Sequence, residues 1–483
     1  MNYLCGLRCT RQTDFLAKHM LTSKVITKYL QHYAEPETAG LTGLDAYLSA
    51  GHVWSDVVVI PACNENSEFL RPPPSASGRS LMILVINQTA SASGSVELAN
   101  RSLFDAVSGR FEKIWGSSQT DPGFQLILYK DSHANRDILL VDKFSQGRQL
   151  PPKGGVGNAR KIGADLATGL IHLGHIASQW IRCTDADVQL PETYLSCTND
   201  HTGSKDISAL IYPFHHGGIG VGEISADVVL ATQLYELSLH YYVAAFRSAG
   251  SPYAFHTIGS TIAIDVDHYA KVRGFPKREA GEDFYLLNKL AKSGKVLQLE
   301  ERPQCQPIEI EARLSDRVPF GTGAAVNKMT ALDDVVIDYR FYDPHVFGLL
   351  GLWLGSWPAL WQTQNNELQG DVFGNHATLD LLEANPQEHE IRCLLEALRG
   401  LKTDAAQVHA FKQSKSLEQF IRQMHIWFDA FRSLKLIHAL RDQLLPSISF
   451  SELCDRPEYL LLLTRDADLR DCHEQLIKRW DLS

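Results

Sequence analysis

Apolar residues in this chain change their period twice. Near the start, Leu16, Met20, Leu21, Val25, Ile26 and Leu30 fall at helical spacing, which predicts a helical leader over residues 1–54. From residue 56 short continuous apolar runs take over. Residues 56–61 read as a strand buried on both faces and 81–86 as a second buried strand, with 124–129 a candidate third and 180–184 and 207–212 further strands. Residues 157–173 read as a helix, and residues 71–78, with three prolines, as a loop. Alternating strands and helices predict an α/β layer around a mostly parallel sheet. After about residue 376 the strand signal ends. There Ser416-Leu417-Glu418-Gln419 reads as a capping box. It opens one helix carrying Leu417, Phe420, Ile421, Met424, Trp427, Phe428, Phe431 and Leu434 at helical spacing. The expected organisation is a leader (1–54), an α/β domain (55–330) and a mainly helical C-terminal region (331–483).

The longest apolar run, residues 347–361, is shorter than the roughly 20 residues of a spanning helix, and it holds Pro358 and three glycines. A buried segment is expected, with no transmembrane span. Its three tryptophans keep peripheral membrane contact as the alternative. The 483-residue composition, 44% hydrophobic and 21% charged, is that of a folded protein. A net charge of −10 argues against a dedicated nucleic-acid partner or a polybasic membrane anchor. Nine scattered cysteines without paired metal spacing read as reduced thiols, and no signal-peptide pattern is evident. Both point to a cytoplasmic location.

Chemistry concentrates in two acidic motifs. Trp180-Ile181-Arg182-Cys183-Thr184 is a strand that ends in Asp185-Ala186-Asp187, placing two carboxylates where strand ends meet a ligand crevice. Hard oxygen ligands of this kind suit Mg²⁺ or Mn²⁺, which neutralises a diphosphate. About a hundred residues on, Glu282-Asp283 precedes an apparent helix and supplies a candidate base. The bland readings are a strand-end turn for the first pair and a helix first turn for the second.

Four motifs in order then carry a family resemblance. Val58-Val59-Ile60-Pro61-Ala62-Cys63-Asn64-Glu65 resembles the first strand of family 2 glycosyltransferases, which have the GT-A fold. Gly157-Asn158-Ala159-Arg160-Lys161-Ile162-Gly163 is similar to that family's Ala-Arg-Asn-x-Gly helix, Asp185-Ala186-Asp187 to its Asp-x-Asp, and Gly281-Glu282-Asp283 to its Glu-Asp motif. The resemblance spans roughly residues 55–325.

It implies a GT-A nucleotide-diphospho-sugar transferase fold and a hexosyltransferase acting with inversion. The donor, UDP- or GDP-linked, would lie against Pro61, Ala62, Cys63 and Glu65. Cys63 stands where the family has an aromatic, and Asn87 where it has an Asp that reads uracil. Asp185 would contact ribose or sugar and Asp187 the Mn²⁺ or Mg²⁺, with Asp185 a second candidate ligand. Asp283, beside Glu282, would be the general base for an acceptor hydroxyl. Arg160 is read either as a donor contact or as an exposed helix charge. Arg317, in a glycine-flanked turn, is either a lid over the diphosphate or a surface residue. His256, after an aromatic-rich stretch, is the candidate acceptor contact.

Gly155-Val156-Gly157 imitates a dinucleotide fingerprint but lacks its third glycine and the preceding strand. A retaining GT-A enzyme and a silent nucleotide-sugar-binding scaffold remain as alternatives. Nucleotidyl transfer is disfavoured, since no glycine-rich triphosphate loop is found near the first strand.

Overall fold

The computed structural model describes residues 23–48, 51–71, 78–117, 123–217, 225–312, 321–367 and 388–480. In chain order these form α1 (Lys24–His32), α2 (Leu41–Tyr47), β1 (Val57–Ala62), β2 (Ser80–Asn87), α3 (Gly94–Arg110), β3 (Glu112–Gly116), β4 (Gln125–Asp131), β5 (Arg136–Lys143), α4 (Val156–His172), β6 (Trp180–Cys183), β7 (Val188–Gln189), β8 (Ile207–Ile211) and β9 (Phe214–Gly217). There follow α5 (Ala226–Ser248), β10 (Ile262–Asp265), α6 (Val266–Lys271), α7 (Glu282–Ser293), β11 (Lys295–Gln298), β12 (Ile308–Glu311), α8 (Thr322–Met329), α9 (Val335–Asp338) and α10 (Pro344–Glu367). The chain ends in α11 (Glu388–Gly400), α12 (Thr403–Lys412), α13 (Leu417–Trp427), α14 (Ala430–Gln443), α15 (Phe450–Cys454), α16 (Pro457–Arg465) and α17 (Ala467–Trp480).

The described residues fall into two compact units that interrupt one another in sequence. The first holds residues up to 217 and from 257 to 312, and the second holds 225–256 and everything from 322 on.

In the first unit nine strands form one sheet, ordered β11-β8-β10-β6-β1-β2-β5-β4-β3. β10 and β4 run against their neighbours, and the central strands β6-β1-β2-β5 are parallel. β1, β2 and β5 are buried at every position, as a sheet covered on both faces requires. A small second sheet, β7-β12-β9, follows directly from Asp187.

Helix α4 lies on the parallel strands and is buried from Gly157 to Leu170. At Gly163 a Cβ would collide with Val59 and come within 3.3 Å of Val85, so glycine sets how closely α4 approaches β1 and β2. The same helix holds the leader. Asp165 is fully buried and accepts from Tyr29 Oη at 2.5 Å, Tyr269 Oη at 2.8 Å, Lys161 Nζ at 2.9 Å and the Glu35 amide at 2.8 Å. Ile26 and Tyr29 form the buried face of α1, while Val25 is exposed and Leu16, Met20 and Leu21 lie outside the described residues.

One expectation fails here. Cys197 and Cys305, read as reduced thiols, are joined by a disulfide across 108 residues. Sequence spacing carries no sign of a pair brought together by the fold.

The second unit is helical. The 347–361 run lies within α10 as core: Phe347, Leu350, Trp353, Trp357 and Leu360 are all buried. Among the described residues no helix is long and apolar enough to cross a membrane. The single helix expected from Leu417 is two. Ser416 caps α13 through the Gln419 amide, and Asp429 starts α14 by accepting from the Arg432 amide at 3.1 Å. Both helices bury apolar faces, so periodicity alone hid the break.

Asp165→Ala would leave buried Lys161 with only the more distant Glu35 carboxylate, at 4.0 Å, and stability should fall by about 3–5 kcal/mol in denaturant unfolding. A loss below about 1 kcal/mol would mean that the cluster does not hold the leader.

Candidate functional site

The site lies at the carboxyl edge of the parallel strands. β1 pairs with β6 so that Val59 sits opposite Cys183, and the Thr184 amide donates to Val59 O at 3.1 Å. The chain then leaves the sheet as Asp185-Ala186-Asp187, and the Glu311 amide of β12 donates to Asp187 O at 3.1 Å. Asp185 and Asp187 are thus held by both sheets, and both are half-buried.

Pro61 and Ala62 are buried at the end of β1, with Cys63 and Glu65 half-buried on the loop beyond. Asn64 has a φ of 58°, a left-handed turn that asparagine tolerates. Asn100 of α3 fixes this turn, accepting from the Asn64 amide at 3.0 Å and donating to Asn87 O at 3.0 Å. Asn87 is buried and donates from Nδ2 to Ala62 O at 3.0 Å and Val85 O at 3.1 Å. Its amide nitrogen therefore ties the ends of β1 and β2 together. Asn100 also donates to Gln88 Oε1 at 3.0 Å, and it had no signal in the sequence because these partners lie in other segments of the chain.

The second acidic motif reaches the first through α4. Gly155 and Gly157 lie under the segment before α7: a Cβ on Gly155 would come within 2.7 Å of Glu279 O, and one on Gly157 within 2.7 Å of Arg278 O and 2.8 Å of Pro276 O. The false dinucleotide fingerprint thus serves close backbone approach. One turn on, Arg160 is 3% exposed, which excludes the exposed-charge reading. Its Nη2 donates to Asp185 Oδ1 at 2.5 Å, and its Nε lies 3.4 Å from Glu282 Oε1. A guanidinium between two carboxylates draws both motifs into one constellation.

Burial dominates the electrostatics. It pushes Glu282 up to about 7; Arg160 opposes this and Asp283 adds to it. It pushes Asp185 up to about 6, again against Arg160, with Asp187, Glu282 and Glu65 adding negative charge. Asp283 is also raised, chiefly by burial, although Arg160 and the Phe284 amide at 2.7 Å favour its charged form. Around these groups, Thr184 Oγ1, Asn158 Oδ1 and Arg160 Nη1 are buried without hydrogen-bond partners.

Among the described residues no group of three or more His, Cys, Asp or Glu side chains forms a cation cage. With Asp185 tied to Arg160, the carboxylates fit a hard cation only if a diphosphate completes its shell, as Mg²⁺ sites commonly do. His256 falls in the second unit, buried, with its ring edge against His240 at 4.8 Å between centroids. Arg317 lies outside the described residues.

No family model matches the chain, and no curated protein matches its sequence. Solved structures that align with it include TarS 1–349 from S. aureus, at 10% identity and TM-score 0.31, covering 77% of this chain and 91% of that one. TarS 1–349 in complex with UDP-GlcNAc aligns at 11% identity and TM-score 0.31, with the same coverage. Mannosyltransferase PcManGT from Pyrobaculum calidifontis, in complex with GDP-Man and Mn²⁺, aligns at 11% identity and TM-score 0.29, covering 98% of this chain and 99% of that one. Similarity this slight leaves the chemistry to be argued from the residues themselves.

The raised Glu282 gives a pH dependence of stability. Its folded pKa of about 7 exceeds its ordinary 4.5, so the folded state holds a proton that the unfolded chain has released between those values. Stability should therefore fall as pH rises from about 4.5 to about 7, by at most about 1.4 kcal/mol per unit from this group. Glu282→Gln should flatten that slope in urea unfolding at pH 5, 6 and 7. An unchanged slope would place the proton elsewhere.

Proposed function

We propose that this chain is a metal-dependent glycosyltransferase that moves a sugar from a nucleotide-diphosphate donor to an acceptor hydroxyl with inversion. The observation that carries the reading is the convergence of Asp185-Ala186-Asp187 and Glu282-Asp283 around one buried guanidinium at the carboxyl edge of a parallel sheet. A metal ligand and a base close to one another are what displacement of a diphosphate by a hydroxyl needs.

In this reading Asp187 would hold Mn²⁺ or Mg²⁺. The cation, when bound, offsets charge developing on the leaving diphosphate. The loop from Pro61 to Glu65 receives the nucleotide, and Asn87 and Asn100 keep that loop in place. Asp283 takes the proton of the acceptor hydroxyl as its oxygen attacks the anomeric carbon and the bond to the diphosphate breaks. Burial suits it for this, since a raised pKa makes a stronger base. The Phe284 amide fixes the direction of the carboxylate.

The test is transfer from a panel of UDP- and GDP-sugars in Mn²⁺, Mg²⁺ or EDTA, with product anomers assigned. Asp187→Ala should abolish metal-dependent turnover, and Asp283→Asn should lower kcat by about 100-fold or more while donor binding persists. Retained configuration, with Asp283→Asn fully active, would favour a retaining enzyme. Donor binding without turnover on any acceptor would favour a silent module.

A further inference from the structure

We infer that Arg160 is a positioning residue: it sets the separation of the two acidic motifs and thereby aims Asp187 and Asp283, and it does not touch the donor. The inference rests on the roles given above to those two carboxylates. Its geometry is independent of them.

The Arg160 side chain is 4% exposed, and each edge of its guanidinium is taken. Nη2 meets Asp185 Oδ1 at 2.5 Å and Nε faces Glu282 Oε1 at 3.4 Å. The remaining edge packs on Gly259: a Cβ there would overlap Nη1 and lie 2.6 Å from Cζ. Nη1 has no hydrogen-bond partner, and it is shut in rather than turned to a crevice where phosphate could reach it. The sequence leaves the space beside residue 259 empty for this group.

The two partners are the neighbours of the working carboxylates in the chain. Asp185 stands two residues before Asp187, and Glu282 stands directly before Asp283. Glu282 is 4% exposed, so its charge cannot be met by water there. A carboxylate buried this deeply needs its cation, and losing one member of such a pair is far more costly than never having had it. Removing Arg160 therefore leaves both motifs free to separate or to take up protons.

Two readouts test this. The first needs no substrate: thermal unfolding of wild type, Arg160→Met, Glu282→Gln and the double variant. Arg160→Met should lower Tm, and by about 2 °C or more less in the Glu282→Gln background than in wild type. Strictly additive shifts would overturn the bridge. The second is steady-state kinetics at saturating acceptor. Arg160→Met should lose about 100-fold in kcat with donor KM within about threefold, and Arg160→Lys should recover part of the loss. Gly259→Ala, which removes no charge but fills the guanidinium's place, should reproduce the kcat defect. A raised donor KM with kcat retained would make Arg160 a donor contact instead. If Arg160→Met does not fold, Arg160→Lys takes its place in both arms. Wild-type protein inactive with every donor would count against the transferase, while the unfolding cycle would still decide the bridge.

Discussion

Charge buried in α4 organises the first unit. The helix carries Arg160, Lys161 and Asp165 within two turns, and every residue from Gly157 to Leu170 is buried. Isolated charges in such surroundings are costly by several kcal/mol each, so the fold must bring partners to them. For Lys161 and Asp165 the partners are Tyr29, Tyr269 and the Glu35 backbone, which is how the leader comes to be part of the unit. For Arg160 they are Asp185 and Glu282, which is how two motifs a hundred residues apart come to share a site. Glycines at 155, 157, 163 and 259 make these approaches possible by leaving out side chains that would collide.

The strands legible in the sequence were those with long continuous apolar runs. β1, β2, β4, β6 and β8 lie within a residue or two of the expected ranges. Burial on both faces keeps β1 and β2 free of charged residues, while β6, with buried Arg182, was legible from the Asp185-Ala186-Asp187 that follows it. β10, four residues between Thr261 and α6, has no motif beside it to mark it, and the strands of the second sheet are shorter still or carry polar residues. Interior strand β5 is framed by Arg136, Asp137, Asp142 and Lys143, all buried, and those charges disguise it. In the second unit the buried glycine-rich run of α10 was legible as core, whereas the step between α13 and α14 was not.

At the site, the acidic motifs were legible because their residue types and strand-end placement are unusual together. Their supports were not. Asn100 ties together the ends of segments far apart in the chain, Gly259 acts by absence, and the Cys197–Cys305 link joins segments that only the fold makes neighbours. Arg160 was visible as a charge but not as a buried one, since helix periodicity cannot tell a solvated face from one covered by a second motif. Within the site, Asp185 and Glu282 both face the Arg160 guanidinium, so one buried cation joins the two acidic motifs.

The decisive measurement is calorimetric titration of wild-type protein with UDP and with GDP, each in Mn²⁺ and in EDTA. A cation held by Asp187 and completed by a diphosphate requires one-to-one binding of at least one nucleotide in Mn²⁺, lost in EDTA and in Asp187→Ala. Binding of equal strength in EDTA, or no binding of either nucleotide in Mn²⁺, would contradict a metal-dependent donor site at this edge of the sheet.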